Sequence, residues 1–122
     1  SLQFHNRIAY HDFEGIALDL EERERIVADF GDHPVLVLRN HGLIATGRSA
    51  AEMFNTMFYL ERACEIQVAA TSSGQPLRLV DDEIASHVHA QYAQMNEEDG
   101  DLQLEWEAHL RSIDGLGSDY RA

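Results

Sequence analysis

Apolar and polar positions follow several distinct rhythms along this chain, and each rhythm predicts an element. Arg7-Ile8-Ala9-Tyr10 predicts a short strand. Asp19, with Glu22 three residues on, has the form of a capping box and predicts a helix that Gly31 closes. Ile26, Val27 and Phe30 supply its apolar face, and Glu21, Glu22, Glu24 and Arg25 suit a solvated one. After Pro34, the unbroken run Val35-Leu36-Val37-Leu38 predicts a strand buried on both faces. Leu43-Ile44-Ala45-Thr46 predicts a second strand, and the polar trio Asn40-His41-Gly42 between them predicts the tight turn of a hairpin.

Ser49 and Glu52 form another capping box and open the longest helix, roughly 49 to 72. Phe54, Met57, Phe58, Cys64 and Val68 follow helical spacing, and Met53, Leu60, Ala63 and Ile66 widen the stripe. A helix apolar around most of its circumference is expected to be central and buried. Ser72-Ser73-Gly74-Gln75-Pro76 predicts a loop. A further helix starts near Asp81 or Asp82, with Ile84, Val88, Tyr92 and Met95 along one side. An acidic loop over residues 96–101 leads to a last helix carrying Leu102, Trp106, Leu110 and Ile113, which Gly115-Leu116-Gly117 breaks. Strands mixed with about four helices indicate an α/β fold. Two or three strands do not complete such a sheet, so it is expected to continue in residues outside this chain or in a partner. Self-association or a retained partner segment is expected for the same reason.

The 122 residues build one core at most. With 44% apolar residues and clear periodicity the chain is globular, and no apolar run approaches the roughly 18 residues of a membrane span. The start, Ser1-Leu2-Gln3-Phe4, carries no signal-peptide pattern and reads as a cut inside a longer protein. The formal charge of −13, from 22 acidic and 9 basic residues, repels phosphate backbones and argues against nucleic acid as a partner. All nine basic residues are arginine. Without lysine the chain holds no Schiff-base nucleophile, so carbonyl chemistry centred on it needs a metal or an oxyanion hole. The lone Cys64 excludes an internal disulfide and fits a buried core position and a reducing, cytoplasmic setting.

The strand–Arg39-Asn40-His41-Gly42–strand arrangement is the most specific local feature. Rigid backbone on either side and a glycine beside it would present the His41 imidazole to a metal; the same pattern also fits a surface turn whose histidine makes hydrogen bonds alone. The segments Arg39-Asn40-His41-Gly42-Leu43-Ile44-Ala45-Thr46-Gly47-Arg48, Ala51-Glu52 and Tyr59-Leu60-Glu61-Arg62-Ala63-Cys64-Glu65-Ile66-Gln67 resemble the class II aldolase/adducin family over roughly residues 8 to 72. Tyr10-His11-Asp12-Phe13-Glu14-Gly15-Ile16-Ala17 is similar in particular to the adducin-like branch.

The resemblance implies a three-layer α/β/α sandwich, commonly tetrameric, of which residues 1–122 would be the C-terminal part of a single domain. It implies a small sugar or sugar-phosphate substrate, and lyase or epimerase chemistry at a divalent metal, zinc in type, held by three histidines. His41 corresponds to the third of these. The other two, in a His-x-His strand motif, and the acid/base glutamate are expected upstream of this chain. The adducins of the family are non-enzymatic, so a scaffold without metal is the alternative function. A tyrosine near the C terminus, Tyr120, is the counterpart considered for the tyrosine some family enzymes lend to a neighbouring subunit.

Other candidates point to structure rather than chemistry. His87 and His89 have His-x-His spacing, but on a helix they diverge by about 200° and are expected to be solvated helix histidines rather than ligands of a shared metal. His5 and His11 lie near the first strand and would flank a site, although they match no ligand motif. His33 precedes Pro34 in a loop, and His109 packs beside Trp106 and Leu110. Glu61 interrupts the apolar stripe of the long helix and is expected to need a partner such as Arg39, Arg48 or Arg62. The acidic run at 97–101 lacks the ligand spacing of a calcium loop.

Overall fold

The computed structural model describes residues 2–15, 20–98 and 101–114. A 3-10 turn (Leu2–Phe4) leads into strand β1 (Ile8–His11), followed by helix α1 (Leu20–Phe30), the strands β2 (Val35–Leu38) and β3 (Gly42–Ala45), and helices α2 (Ala50–Ser72), α3 (Asp82–Glu98) and α4 (Asp101–Asp114). β2 is the middle strand of three, parallel to β1 and antiparallel to β3. The predicted hairpin forms one residue earlier than the polar trio suggests: the turn is Arg39-Asn40-His41, and Gly42 pairs with Leu38 as the first residue of β3. The parallel neighbour requires a crossover, and the segment containing α1 makes it.

The register sorts side chains onto two faces. Ile8, Val35 and Ala45 are paired across the sheet, as are Tyr10, Val37 and Leu43, and these rows share one face. Ile8, Val35, Leu43 and Ala45 pack there with Phe4 and with Leu60, Tyr59 and Ala63 of α2. Ala9, Leu36 and Ile44 form the central row of the other face, and His11 at its end meets Asp29 of α1. Val35 and Leu36 have no exposed surface, as an unbroken apolar run requires. Each contributes about 1.5–3 kcal/mol of transfer free energy.

Ser49 caps α2 as predicted, its side-chain oxygen accepting from the Glu52 N–H at 3.2 Å. The return arm is displaced by one residue: Glu52 Oε2 accepts from the Arg48 N–H at 2.8 Å and is 3.1 Å from Arg48 Nε. Gly47 allows this tight entry, since a Cβ there would lie 2.6 Å from the Met53 backbone nitrogen.

Several expectations need correction. Asp19 lies outside the described residues, but Glu22, assigned to the solvated face of α1, is 6% exposed, whereas Val27 is 70% exposed. The helix is therefore turned so that Glu22, Ile26 and Asp29 approach the sheet. α2 is buried only along its first part: Ala51 and Leu60 are covered, while residues 65–72 are exposed. β3 and α4 meet α2 along that first part, through Tyr59, Leu60 and Ala63 toward the sheet and Asn55 and Tyr59 toward α4.

α3 packs on the 3-10 turn through Ala85 and His89, leaving Ile84 and Met95 exposed. The acidic stretch at 96–101 is largely helical, with α3 running to Glu98 and α4 starting at Asp101. Glu61 is exposed, and its carboxylate has no ion pair among the described residues. The carboxylate that does meet α2 is Glu105 of α4, which accepts from Asn55 Nδ2 and, at 3.1 Å, from the Tyr59 hydroxyl.

Two outcomes follow for stability. Gly47→Ala forces backbone apart at the α2 entry and should cost about 1–3 kcal/mol, seen as a lower denaturant midpoint at unchanged slope. Burial, and then the hydrogen bond and negative charge of Glu105, push the Tyr59 phenol above its usual pKa of 10.0. A raised pKa means stability is fully present below the unfolded value and declines as pH rises toward the folded one. Tyr59→Phe should lose about 1 kcal/mol at neutral pH and should flatten the decline in denaturant midpoint between about pH 9 and 11; an unchanged decline would contradict the assignment.

Candidate functional site at the carboxyl edge of the sheet

β1 ends at His11 and β2 at Leu38, and these two residues are register partners. Both parallel strands therefore release their chain at the same edge, where open α/β sheets bind ligands. The hairpin turn stands on this edge. The His41 N–H bonds the Leu38 carbonyl at 3.0 Å, and Asn40 takes φ +58°, the left-handed geometry a type II turn demands at its third position and Asn tolerates.

Residues 10–13 hold the turn from below. The Arg39 N–H donates to the His11 carbonyl at 2.9 Å, extending the ladder by one bond. Arg39 Nε lies 3.0 Å from Asp12 Oδ1, and its guanidinium carbon sits 4.8 Å from the centre of the Tyr10 ring. Phe13 stacks on the His41 imidazole with ring centroids 6.3 Å apart and planes 25° apart. His41 itself is exposed.

The other imidazole of this edge is enclosed. His11 is 3% exposed, and its Nδ1 lies 2.8 Å from Asp29 Oδ2 on α1. In the neutral ring that contact places the proton on Nδ1, leaving Nε2 as an acceptor. Nε2 has no hydrogen-bond partner among the described residues. A cavity of about 60 Å³ is lined by His11, Phe13, Glu22, Ile26, Leu38 and His41 among others. A more open cleft of about 450 Å³ adjoins it, reached by Tyr10, Asp12, Arg25, Asp29 and Arg39.

His41 thus stands at the hairpin turn, and His11 joins it in one cavity, as a flanking residue would. His5 lies elsewhere, 3.2 Å from Asp82. His33 bonds the Phe30 carbonyl through Nδ1 at 3.1 Å. His87 and His89 are helical: the first is exposed, and the second donates from Nδ1 to the Gln3 carbonyl at 2.8 Å. His109 packs against Phe54 and Phe58 at 4.9 and 5.3 Å between centroids. Cys64 is half-buried, and Tyr120 lies outside the described residues. Glu22 and Asp29 escaped sequence reasoning. Their signal was positional, since 22, 26 and 29 recur on one helical face and Ile26 marks that face as covered.

The donor set fits a catalytic zinc only in part. Such an ion needs three protein ligands. Among the described residues no three His, Cys, Asp or Glu side chains converge to hold a metal. Among the described residues His41 also has no outer hydrogen bond of the kind that usually orients a ligating imidazole; its ring contact is Phe13. The described residues alone do not complete the site.

Residues 1–68 match the family model of the class II aldolase and adducin N-terminal domain, and the chain belongs to this family. A "Putative aldolase class 2 protein" of Caulobacter vibrioides is 61% identical over 69 residues, covering 57% of this chain and 27% of that protein. A Pseudomonas aeruginosa protein of like description is 40% identical over 116 residues, 93% of this chain and 45% of the other. Rat alpha-adducin is 47% identical over 75 residues, 60% of this chain and 10% of its own length. The crystal structure of an aldolase II superfamily protein from Pseudomonas syringae superposes with a TM-score of 0.89 at 43% identity, covering 99% of this chain and 48% of that one. The chain therefore spans less than half the length of these relatives. Among the described residues no helix is long and apolar enough to cross a membrane.

Asp29→Ala removes the acceptor for a buried Nδ1–H and should cost about 1–3 kcal/mol. Asp29→Asn, whose amide oxygen still accepts, should cost less. Equal thermal shifts for the two would show that the bond does not hold α1 to β1.

Proposed function

We propose that the full-length protein is a class II aldolase-type enzyme, a carbon–carbon lyase or epimerase acting on a small sugar or sugar phosphate. The observation that supports this reading is the position of His41. Within the segment that matches the family, it is fixed by a left-handed turn at the carboxyl edge of two parallel strands, beside a cavity. In this reading His41 is one ligand of a divalent cation, zinc by family resemblance. The remaining histidines and the acid/base glutamate come from upstream sequence, and the full domain is a three-layer sandwich in a homo-oligomer. A cation bound there would supply positive charge opposite a developing oxyanion, a task for which this chain, having no lysine, holds no ammonium group. The chain's own residues position: Asp12, Tyr10 and Phe13 fix the turn, and Arg39 gives the rim a cation.

A second reading has its own support. Rat alpha-adducin shares 47% identity over 75 residues, and His41 has no outer hydrogen bond among the described residues. A scaffold that keeps the fold without metal fits both facts. Elemental analysis of the full-length protein separates the two. The enzyme reading expects close to one equivalent of zinc or a similar ion, and a fall of tenfold or more (about 1.4 kcal/mol per decade) in metal affinity for His41→Ala. Metal content unaffected by the substitution would sink the ligand assignment, and a metal-free wild type would favour the scaffold. The isolated 122-residue chain should bind zinc weakly or not at all, since one histidine is not a zinc site.

A further inference from the structure

His11 is the buried group that the proposed chemistry does not use. Its environment is specific: Asp29 Oδ2 accepts a hydrogen bond from the neutral ring's Nδ1–H at 2.8 Å, and the ring is 3% exposed. Nε2 is left as a lone pair with no donor among the described residues. Leaving a buried acceptor unpaired costs about 1–3 kcal/mol, a cost removed when a donor arrives. Glu22, 6% exposed, lines the same cavity and adds a second acceptor. At about 60 Å³ the cavity has room for one or two waters or for a hydroxymethyl group, and His41 stands on its wall.

We infer that this cavity is a subsite for the hydroxyl-bearing end of the ligand, with His11 Nε2 accepting a hydrogen bond from a ligand hydroxyl and Glu22 accepting from a second. The inference rests on the sugar-type reading above and deepens it. Arg39 and Asp12 also line the cavity but are paired with each other at 3.0 Å, so the two acceptors, one of them a carboxylate, disfavour a phosphate or carboxylate group beside His11. The anionic end of a phosphorylated sugar must therefore point away from His11. His11 is then a substrate-binding residue and Asp29 a positioning residue, which acts by fixing the tautomer.

The test uses the full-length protein labelled with nitrogen-15 at histidine, titrated with dihydroxyacetone as the smallest ketose. Acetone is the hydroxyl-free control and inorganic phosphate the anionic one. The free protein should show His11 as the Nδ1–H tautomer. Dihydroxyacetone should move the His11 Nε2 resonance, while acetone and phosphate should leave it in place. His11→Phe puts a phenyl ring in place of the imidazole, removing the Nε2 acceptor and also the Nδ1–H bond to Asp29, and should weaken dihydroxyacetone binding about three- to tenfold. The resonance measurement on unmutated protein does not depend on that variant folding. A His11 ring protonated on Nε2 in the free protein would overturn the inference. So would a silent His11 resonance while that of His41 responds, and in that case the sugar reading survives. If neither histidine responds, both fall.

Discussion

β2 has to be covered on both faces, and much of the molecule follows from that requirement. Val35 and Leu36 point in opposite directions and neither retains exposed surface. One face takes Leu60 of α2, while on the other α1 packs on the neighbouring β1 and its Ile26 shares a cavity with Leu38. Because β1 must run parallel to β2, its last residue is brought level with the last residue of β2. A slip of one residue would turn His11 away from α1 and expose Leu36 or its neighbours. The apolar register that buries the strand is thus the same register that sets His11 beside the hairpin turn.

Two imidazoles share that edge in opposite circumstances. His41 is exposed, with a face against Phe13 and no ring hydrogen bond among the described residues, and suits a group that enters from outside. His11 is enclosed, its tautomer set by Asp29. Family membership gives His41 its meaning, whereas the meaning of His11 comes from burial alone. The acidic character of the chain also divides unevenly here. Arg39 is paired with Asp12 at the surface, where such a bond contributes little, so its worth lies in bracing the turn rather than in stability.

The sequence was most legible where one rule acted alone. The Val35–Leu38 run, the Asn40 turn and the Ser49 cap each follow from local chemistry, and each stands where that chemistry puts it. It was least legible where a charged residue lies on a covered face. Glu22 reads as solvated because charge is normally exposed, yet its spacing with Ile26 carried the opposite message, and Asp29 on the same side drew no reading at all. Glu61 fails in the other direction: the apolar stripe around it suggested burial, but the covering helix contributes Glu105 to a neighbouring spot instead. In α2 the apolar pattern continues past the part that is covered, so composition alone could not say where burial ends. His41 was found through the family motif; His11 could be placed near a site, but its burial depends on a helix packing that no local pattern specifies.

The hairpin and the crossover differ in how far the chain must travel to close them. β2 meets β3 through a three-residue turn, at almost no loop-closure entropy, whereas β1 meets β2 only after the chain has passed through all of α1. Contacts close in sequence form early and distant ones late. The two walls of the His11–His41 cavity therefore differ in the length of chain that must close to form them. The His41 turn is closed locally by its bond to the Leu38 carbonyl, while the His11 wall exists only once β1 has docked, so that fraying of β1 would dismantle half the cavity and strip the turn of the braces that Tyr10, Asp12 and Phe13 supply.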